Sequence, residues 1–273
     1  MSRLTDVKLI GGWVSKFDVR VGQAGMKEAV AEVVAQTRSK LEVAYLGDSE
    51  KVLKDQAVII VANHPHESDV LAILGALPTR TDFRMIANSV LKGIGENLDK
   101  ILIPVFVHNR MENSKGGSVK MKVFGKIHTS TKLNSEEEKI KNRASITEAS
   151  NKLDEKGALL IFPMAGSGDG SWFSGVGHMW KQTKKPEKIR VVMAKIEGTS
   201  EWDYLRLIPG FSFFFPIFRV TFSPSYGWDK VKDEDSKILT KNMENVYDQW
   251  CGNLENQRSI TETKKAVALG NSL

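Results

Sequence analysis

The chain has 273 residues, 41% hydrophobic and 26% charged, with a net charge of +6 and one cysteine. That composition excludes a disordered chain and a disulfide framework, and it supplies a substantial core in a reducing compartment. No stretch approaches the roughly 18 apolar residues of a spanning helix, and the opening MSRLTDVKLIGGWVSKFDVR lacks the apolar core and cleavage site of a signal peptide.

A cytoplasmic protein is therefore expected, with membrane contact at most peripheral. The basic excess suits an anionic partner. No nucleic-acid motif accompanies it, and no nucleic-acid partner is expected.

Residues 1–50 read as a helical segment, clearest over 24–41, where Met26, Val30, Val33, Val34, Thr37 and Leu41 fall on one face. AVIIVA, 57–62, is a continuous, β-branched apolar run and predicts a strand covered on both faces, as in a parallel sheet. Ser68 is placed to cap a helix through Leu77, which Pro78 closes. DFRMIA (82–87) and KILIPVFV (100–107) predict two more strands, and 111–134 reads as a long basic loop.

SEEEKIKNRASITEASNKLDEKG (135–157) predicts a polar helix with an acidic first turn and Gly157 at its end. ALLIF (158–162) is a strand running into the glycine-rich PMAGSGDGSW, and IRVVMAKI (189–196) is another. LIPGFSFFFPIFRVTF (207–222) is broken by glycine and proline. It reads as a pair of buried strands or as an aromatic patch that touches lipid or an acyl chain. Leu239, Met243, Val246, Trp250 and Leu254 mark one face of a last helix, 234–256.

Strands alternating with helices predict an α/β fold: a mixed, largely parallel central sheet flanked by helices, in one domain spanning 1–273. Ligands of such sheets sit beyond the carboxyl ends of strands, where His64 and the glycine-rich loop at 165–170 both fall. Trp172, Phe173 and Trp180 have helical spacing and read as core. Lys181, Lys184 and Lys185 read as a solvated face, and His178 as structural.

The segment NHPHESD (63–69) carries the chemistry. Pro65 disfavours helical geometry at His64, which should stand extended just past its strand. Asp69 falls in the first turn of the next helix, where its charge is favoured. Asp69 can then hold one imidazole nitrogen while the other takes a proton from an attacking hydroxyl, contributing about 100-fold to 10,000-fold in rate. A competing reading makes His64, His66 and Asp69 ligands of Zn or Fe in a hydrolase, completed by carboxylates or by His108, His128 or His178. A third makes the segment an ordinary loop. The loop at 165–170 can present backbone N–H groups to a phosphate or an oxyanion, or it is simply a surface loop.

NHPHESD resembles the first motif of the glycerolipid acyltransferases, the superfamily of glycerol-3-phosphate and lysophosphatidate acyltransferases, in which Asn-His is followed by four residues and Asp. The match falls on Asn63, His64 and Asp69. GENLDKILIPVFVHNRM (95–111) resembles the second motif, with Arg110 matching its basic residue. ALLIFPMAGSGDG (158–170) resembles the third, and RVVMAKIEG (190–198) stands where the fourth belongs, without its usual proline.

The resemblance covers about 55–200, with some likeness to the soluble plastid-type glycerol-3-phosphate acyltransferases. It implies a glycerol-3-phosphate acyltransferase-like fold, His64 as general base and Asp69 as its partner. It also implies Asn63, Arg110, Phe162, Pro163, Gly166, Ser167 and Gly168 at the substrate. The acyl donor would be a thioester on coenzyme A or acyl carrier protein, and the acceptor glycerol 3-phosphate or a lysophospholipid, with no metal or organic cofactor.

The third motif departs from the family. Met164 stands where its Glu is usual, and no Lys or Arg lies between 157 and 180 in place of its Arg. The acceptor's headgroup stays open. So does a non-catalytic lipid- or membrane-binding role that keeps the fold.

Overall fold

A computed structural model describes residues 2–64, 66, 68–106, 133–164, 171–200, 203, 217–230, 233 and 235–270, and of 2–11, 230 and 257–270 the backbone alone. The apolar run forms β2 (Val58–Ala62), every residue of which is buried. It lies between β5 (Ala158–Ile161) and β6 (Arg190–Glu197), parallel to both. Successive side chains of a strand point to opposite faces. Val58, Ile60 and Ala62 therefore enter one apolar layer, and Ile59 and Val61 the other. Burying a Val or Ile side chain stabilises by about 1.5–3 kcal/mol, which makes this strand the structural centre of the sheet.

The sheet has seven strands in the order β1-β7-β6-β2-β5-β3-β4. Its other members are β1 (Lys40–Tyr45), β3 (Phe83–Asn88), β4 (Leu102–Val105) and β7 (Ile217–Phe222). Each neighbouring pair is parallel except β6 and β7. The carboxyl ends of β2 to β6 thus share one edge, while β1 and β7 run the other way. This is the mixed, largely parallel sheet expected.

One face is covered by α1 (Ser2–Ala24), α2 (Met26–Gln36), α3 (Ser49–Asp55), α4 (Asp69–Ala76) and the short α5 (Glu96–Asp99). The other face is covered by α6 (Ser135–Asp154), α7 (Gly175–Lys181) and α8 (Ser236–Gly270). In α8 Leu239, Met243 and Trp250 are buried, as the period predicts. Trp172 and Trp180 join the same layer as core residues. Lys181, Lys184 and Lys185 are exposed, and so is His178, which was expected to be structural.

Several expectations need correction. The pattern helix of 24–41 is two elements: α2 stops at Gln36, and Leu41 belongs to β1. The four-residue step from Thr37 to Leu41 imitated a helix, but Leu41 and Tyr45 pack on the core from a strand. Residues 1–50 are therefore not all helical. At the end of α6 the left-handed residue is Lys156 (φ 67°), not Gly157.

Gly157 answers a different need, because a Cβ there would lie 2.7 Å from Lys152 O. The last helix runs well past 256, to Gly270. Of the stretch 207–222, a strand is seen over Ile217–Phe222, and 207–216 lie outside the described residues. Among the described residues no helix is long and apolar enough to cross a membrane.

Candidate active site

His64 stands two residues beyond β2, at the sheet edge where the parallel strands end. Asp69 opens α4 and is fully buried. The two meet across the tight turn, with His64 Nδ1 3.4 Å from Asp69 Oδ2, the histidine side chain 24% exposed and the aspartate 0%. The Asp69 carboxylate also accepts the His66 N–H at 2.7 Å. His64 Nδ1 and Asp69 Oδ1 are buried, and among the described residues neither makes an aligned hydrogen bond. The contact is therefore close but not aligned as a hydrogen bond. Catalytic hydrogen bonds are commonly long in the absence of substrate, and a buried polar atom without a partner is a feature of functional sites.

The ring of Phe162, just past β5, leans on His64 with centroids 4.7 Å apart and planes at 33°. It limits how the imidazole can turn. Asn63, expected at the substrate, has both ends of its amide engaged by the backbone of β6. Nδ2 donates to Ile196 O at 2.9 Å and Oδ1 accepts Ile196 N–H at 2.8 Å. The side chain so adds one rung to the β2–β6 ladder and holds the base of the His64 turn. Tyr247 of α8 reaches the same strand ends from the opposite face, its hydroxyl donating to Ala194 O at 3.3 Å. Burial pushes that phenol's pKa well above the ordinary value.

Ser68 was expected to cap α4. It occupies the position but adopts helical dihedrals and makes no side-chain cap bond. Its hydroxyl donates instead to Asp203 Oδ2 at 2.6 Å. Asp203 lies in a sparsely patterned stretch, and nothing in its sequence neighbourhood signals this partner.

Pro163 O accepts the Phe173 N–H at 3.0 Å. The two ends of the third-motif loop are thus joined next to Phe162. Gly166, Ser167 and Gly168 lie outside the described residues, as do Arg110 and the basic loop from 111 to 132.

The segment that begins at Gly95 carries an anchor that no local sequence pattern signals. Asp18 of α1, 7% exposed, accepts the backbone N–H groups of Asn97 at 3.0 Å and Leu98 at 2.8 Å. It therefore caps α5 from a distant helix. A Cβ at Gly95 would collide with that carboxylate, so a side chain there would displace the cap. A cleft of about 740 Å³ lies elsewhere, lined by Arg143, Thr147, His178 and Lys181 among others, and does not include the His64–Asp69 pair.

Among the described residues no three His, Cys, Asp or Glu side chains converge as a metal-ligand set, and this includes the trio His64, His66 and Asp69. His66 meets Asp69 through its backbone. What the arrangement offers is one exposed-edge imidazole held beside a buried carboxylate. It is suited to proton transfer at the end of a rigid strand.

No protein-family model and no curated protein matches the chain. Among solved structures it is similar to the 1-acyl-sn-glycerophosphate (LPA) acyltransferase PlsC from Thermotoga maritima. The likeness covers 93% of this chain and 98% of that one, at 19% identity and a TM-score of 0.47. At that TM-score the likeness carries no weight for the chemistry, which rests on the site's own residues.

Proposed function

We propose that this protein is an acyltransferase. It moves a fatty acyl group from a thioester, on coenzyme A or acyl carrier protein, to a hydroxyl of glycerol 3-phosphate or a lysophospholipid. The observation that supports this reading is the approach of His64 Nδ1 to Asp69 Oδ2, 3.4 Å, at the carboxyl edge of the central strand. The order of the motif-like segments around it supports the same reading.

Asp69 holds Nδ1 of the imidazole, and Nε2 takes the proton of the acceptor hydroxyl as its oxygen attacks the thioester carbonyl. A tetrahedral adduct forms, the C–S bond breaks, and the imidazolium returns its proton to the departing thiolate. The ester and a free thiol are the products, and no redox step or cofactor enters. Backbone N–H groups of the loop containing Gly166, Ser167 and Gly168 would receive the developing oxyanion or the acceptor phosphate. Arg110 would contribute the positive charge that the third motif no longer carries.

The test is thiol release from acyl-coenzyme A and acyl carrier protein in the presence of glycerol 3-phosphate, lysophospholipids and unphosphorylated alcohols, with the ester identified by mass. Release that depends on an acceptor supports the reading. Release that no acceptor accelerates, or that survives His64→Ala unchanged, overturns it.

A further inference from the structure

We propose that Asp203 is a positioning residue for the His64–Asp69 pair, acting through Ser68. Its catalytic consequence rests on the acyltransfer reading above, whereas its effect on His64 does not. Asp203 is 8% exposed. Among the described residues three donors converge on its carboxylate: Ser68 Oγ at 2.6 Å and Ser200 N at 2.7 Å on Oδ2, and Ser200 Oγ at 2.8 Å on Oδ1.

The two bonds from Ser200 close a local turn after β6 and are explained by the loop alone. The bond from Ser68 is not, because it crosses 135 residues of chain. It also takes from Ser68 the cap bond that its place before α4 would normally make. Ser68 is the residue before Asp69. The turn that carries Asp69 toward His64 is therefore pinned at its far end to the segment beyond β6. Its near end is pinned by Asn63 to Ile196, in β6 itself. One end of the turn is thus tied to β6 and the other to Asp203, six residues past that strand, and the 3.4 Å approach of the pair is set by that frame.

An ionised carboxylate accepts all three donors at once. An asparagine at 203 could keep the same three contacts, since its amide oxygen can accept from Ser68 and the Ser200 N–H while its NH₂ donates to a Ser200 hydroxyl turned to accept. An alanine could keep none.

The test compares full-length wild type with Ser68→Ala, Asp203→Asn, Asp203→Ala and the Ser68→Ala/Asp203→Ala double variant. Two readouts are taken. The first is the ¹⁵N shifts of the His64 ring, which report the proton's place on the two nitrogens without any substrate. The second is kcat and KM for the thioester. Ser68→Ala and Asp203→Ala should each move the His64 shifts away from wild type. Each should also lower kcat on the order of 10-fold to 100-fold, the penalty of a small misplacement, while KM changes by less than about 2-fold.

The double variant should be no worse than the worse single one, because both changes break one link. Asp203→Asn should restore the shifts and most of kcat. Wild-type shifts and kcat in Ser68→Ala, or losses that multiply in the double variant, would overturn the proposal. If the wild type transfers no acyl group, the functional reading fails and the ring shifts alone still decide this one. If Asp203→Ala does not fold, Ser68→Ala and Asp203→Asn carry the decision.

Discussion

Asn63 and Ile196 exchange two hydrogen bonds, amide to backbone, as if the side chain of one were a further residue of the strand beside the other. The turn from Asn63 to Asp69 therefore starts from a fixed register rather than from a frayed strand end. Asn63→Ala leaves a partly buried N–H and C=O of β6 without these partners, at about 1–3 kcal/mol. Asn63→Asp keeps the acceptor but sets a carboxylate against Ile196 O, and should be at least as damaging. Urea midpoints check both, and a loss of activity larger than the loss of folded protein would show that the rung also aims His64.

His64→Ala should abolish acceptor-dependent thiol release, while the urea midpoint falls only by what the contact with Phe162 contributes, far less than the loss of turnover. Asp69→Asn should cut turnover by at least about 100-fold, since the imidazole loses the partner that fixes its tautomer. Near-normal release in either variant removes the pair from the mechanism.

Arg110→Ala should raise KM for a phosphorylated acceptor about 10-fold to 150-fold, the equivalent of roughly 1.5–3 kcal/mol for a charge-assisted contact, and leave KM for the thioester nearly unchanged. If glycerol 3-phosphate and unphosphorylated alcohols respond alike, the acceptor is not a phosphate ester. The missing Glu and Arg of the third motif would then mark a different substrate.

Prolonged dialysis against EDTA should leave turnover intact, because the proposed steps use an imidazole and no Lewis acid. Loss of turnover that stoichiometric Zn or Fe restores would move the chemistry to a metal site.

Arg80 offers a stability test far from the active site. Its guanidinium grips Asp82 through Nε at 2.8 Å and Nη2 at 2.7 Å, and it donates to Leu53 O, Gln56 O and Lys156 O. Hydrogen bonding from Arg80 holds the Asp82 carboxyl below its ordinary value of 3.8. A depressed carboxylate pKa contributes stability that is present above the unfolded value and is lost as pH falls through the folded one. Arg80→Ala should lower the urea midpoint at pH 7 by the equivalent of about 2–3 kcal/mol. The gap between variant and wild type should narrow as pH drops below 3.8. A gap that stays constant over that range would assign the effect to the backbone carbonyls alone.

The sequence disclosed those parts of the molecule in which local pattern and tertiary environment agree. The run 58–62 is uniformly apolar because it is buried on both faces, and the spacing of Leu239, Met243 and Trp250 follows the one buried stripe of α8. His64 and Asp69 were legible because a strand end and a helix start bracket them. β1 was not, because its burial follows no clean alternation and its charges pair with one another and with β7, Lys40 and Arg219 both on Glu42. The task of Asn63, and the ties made by Asp203 and Asp18, depend on partners 79 to 135 residues away. No local pattern records a bond of that span.

The hydrogen bond from Phe173 N–H to Pro163 O makes the third-motif loop a cartridge. Its two mouths are fastened to each other beside the core, so what lies between them can be exchanged without reopening β5 or α7. Loop closure grows only slowly with length, about 0.6 kcal/mol for each doubling. A transplant of a longer or more basic loop between Pro163 and Phe173 is thus tolerable in folding terms. Under the proposed acyltransfer, such an exchange would change the acceptor while His64 stays at the end of β2 and Asp69 at the start of α4.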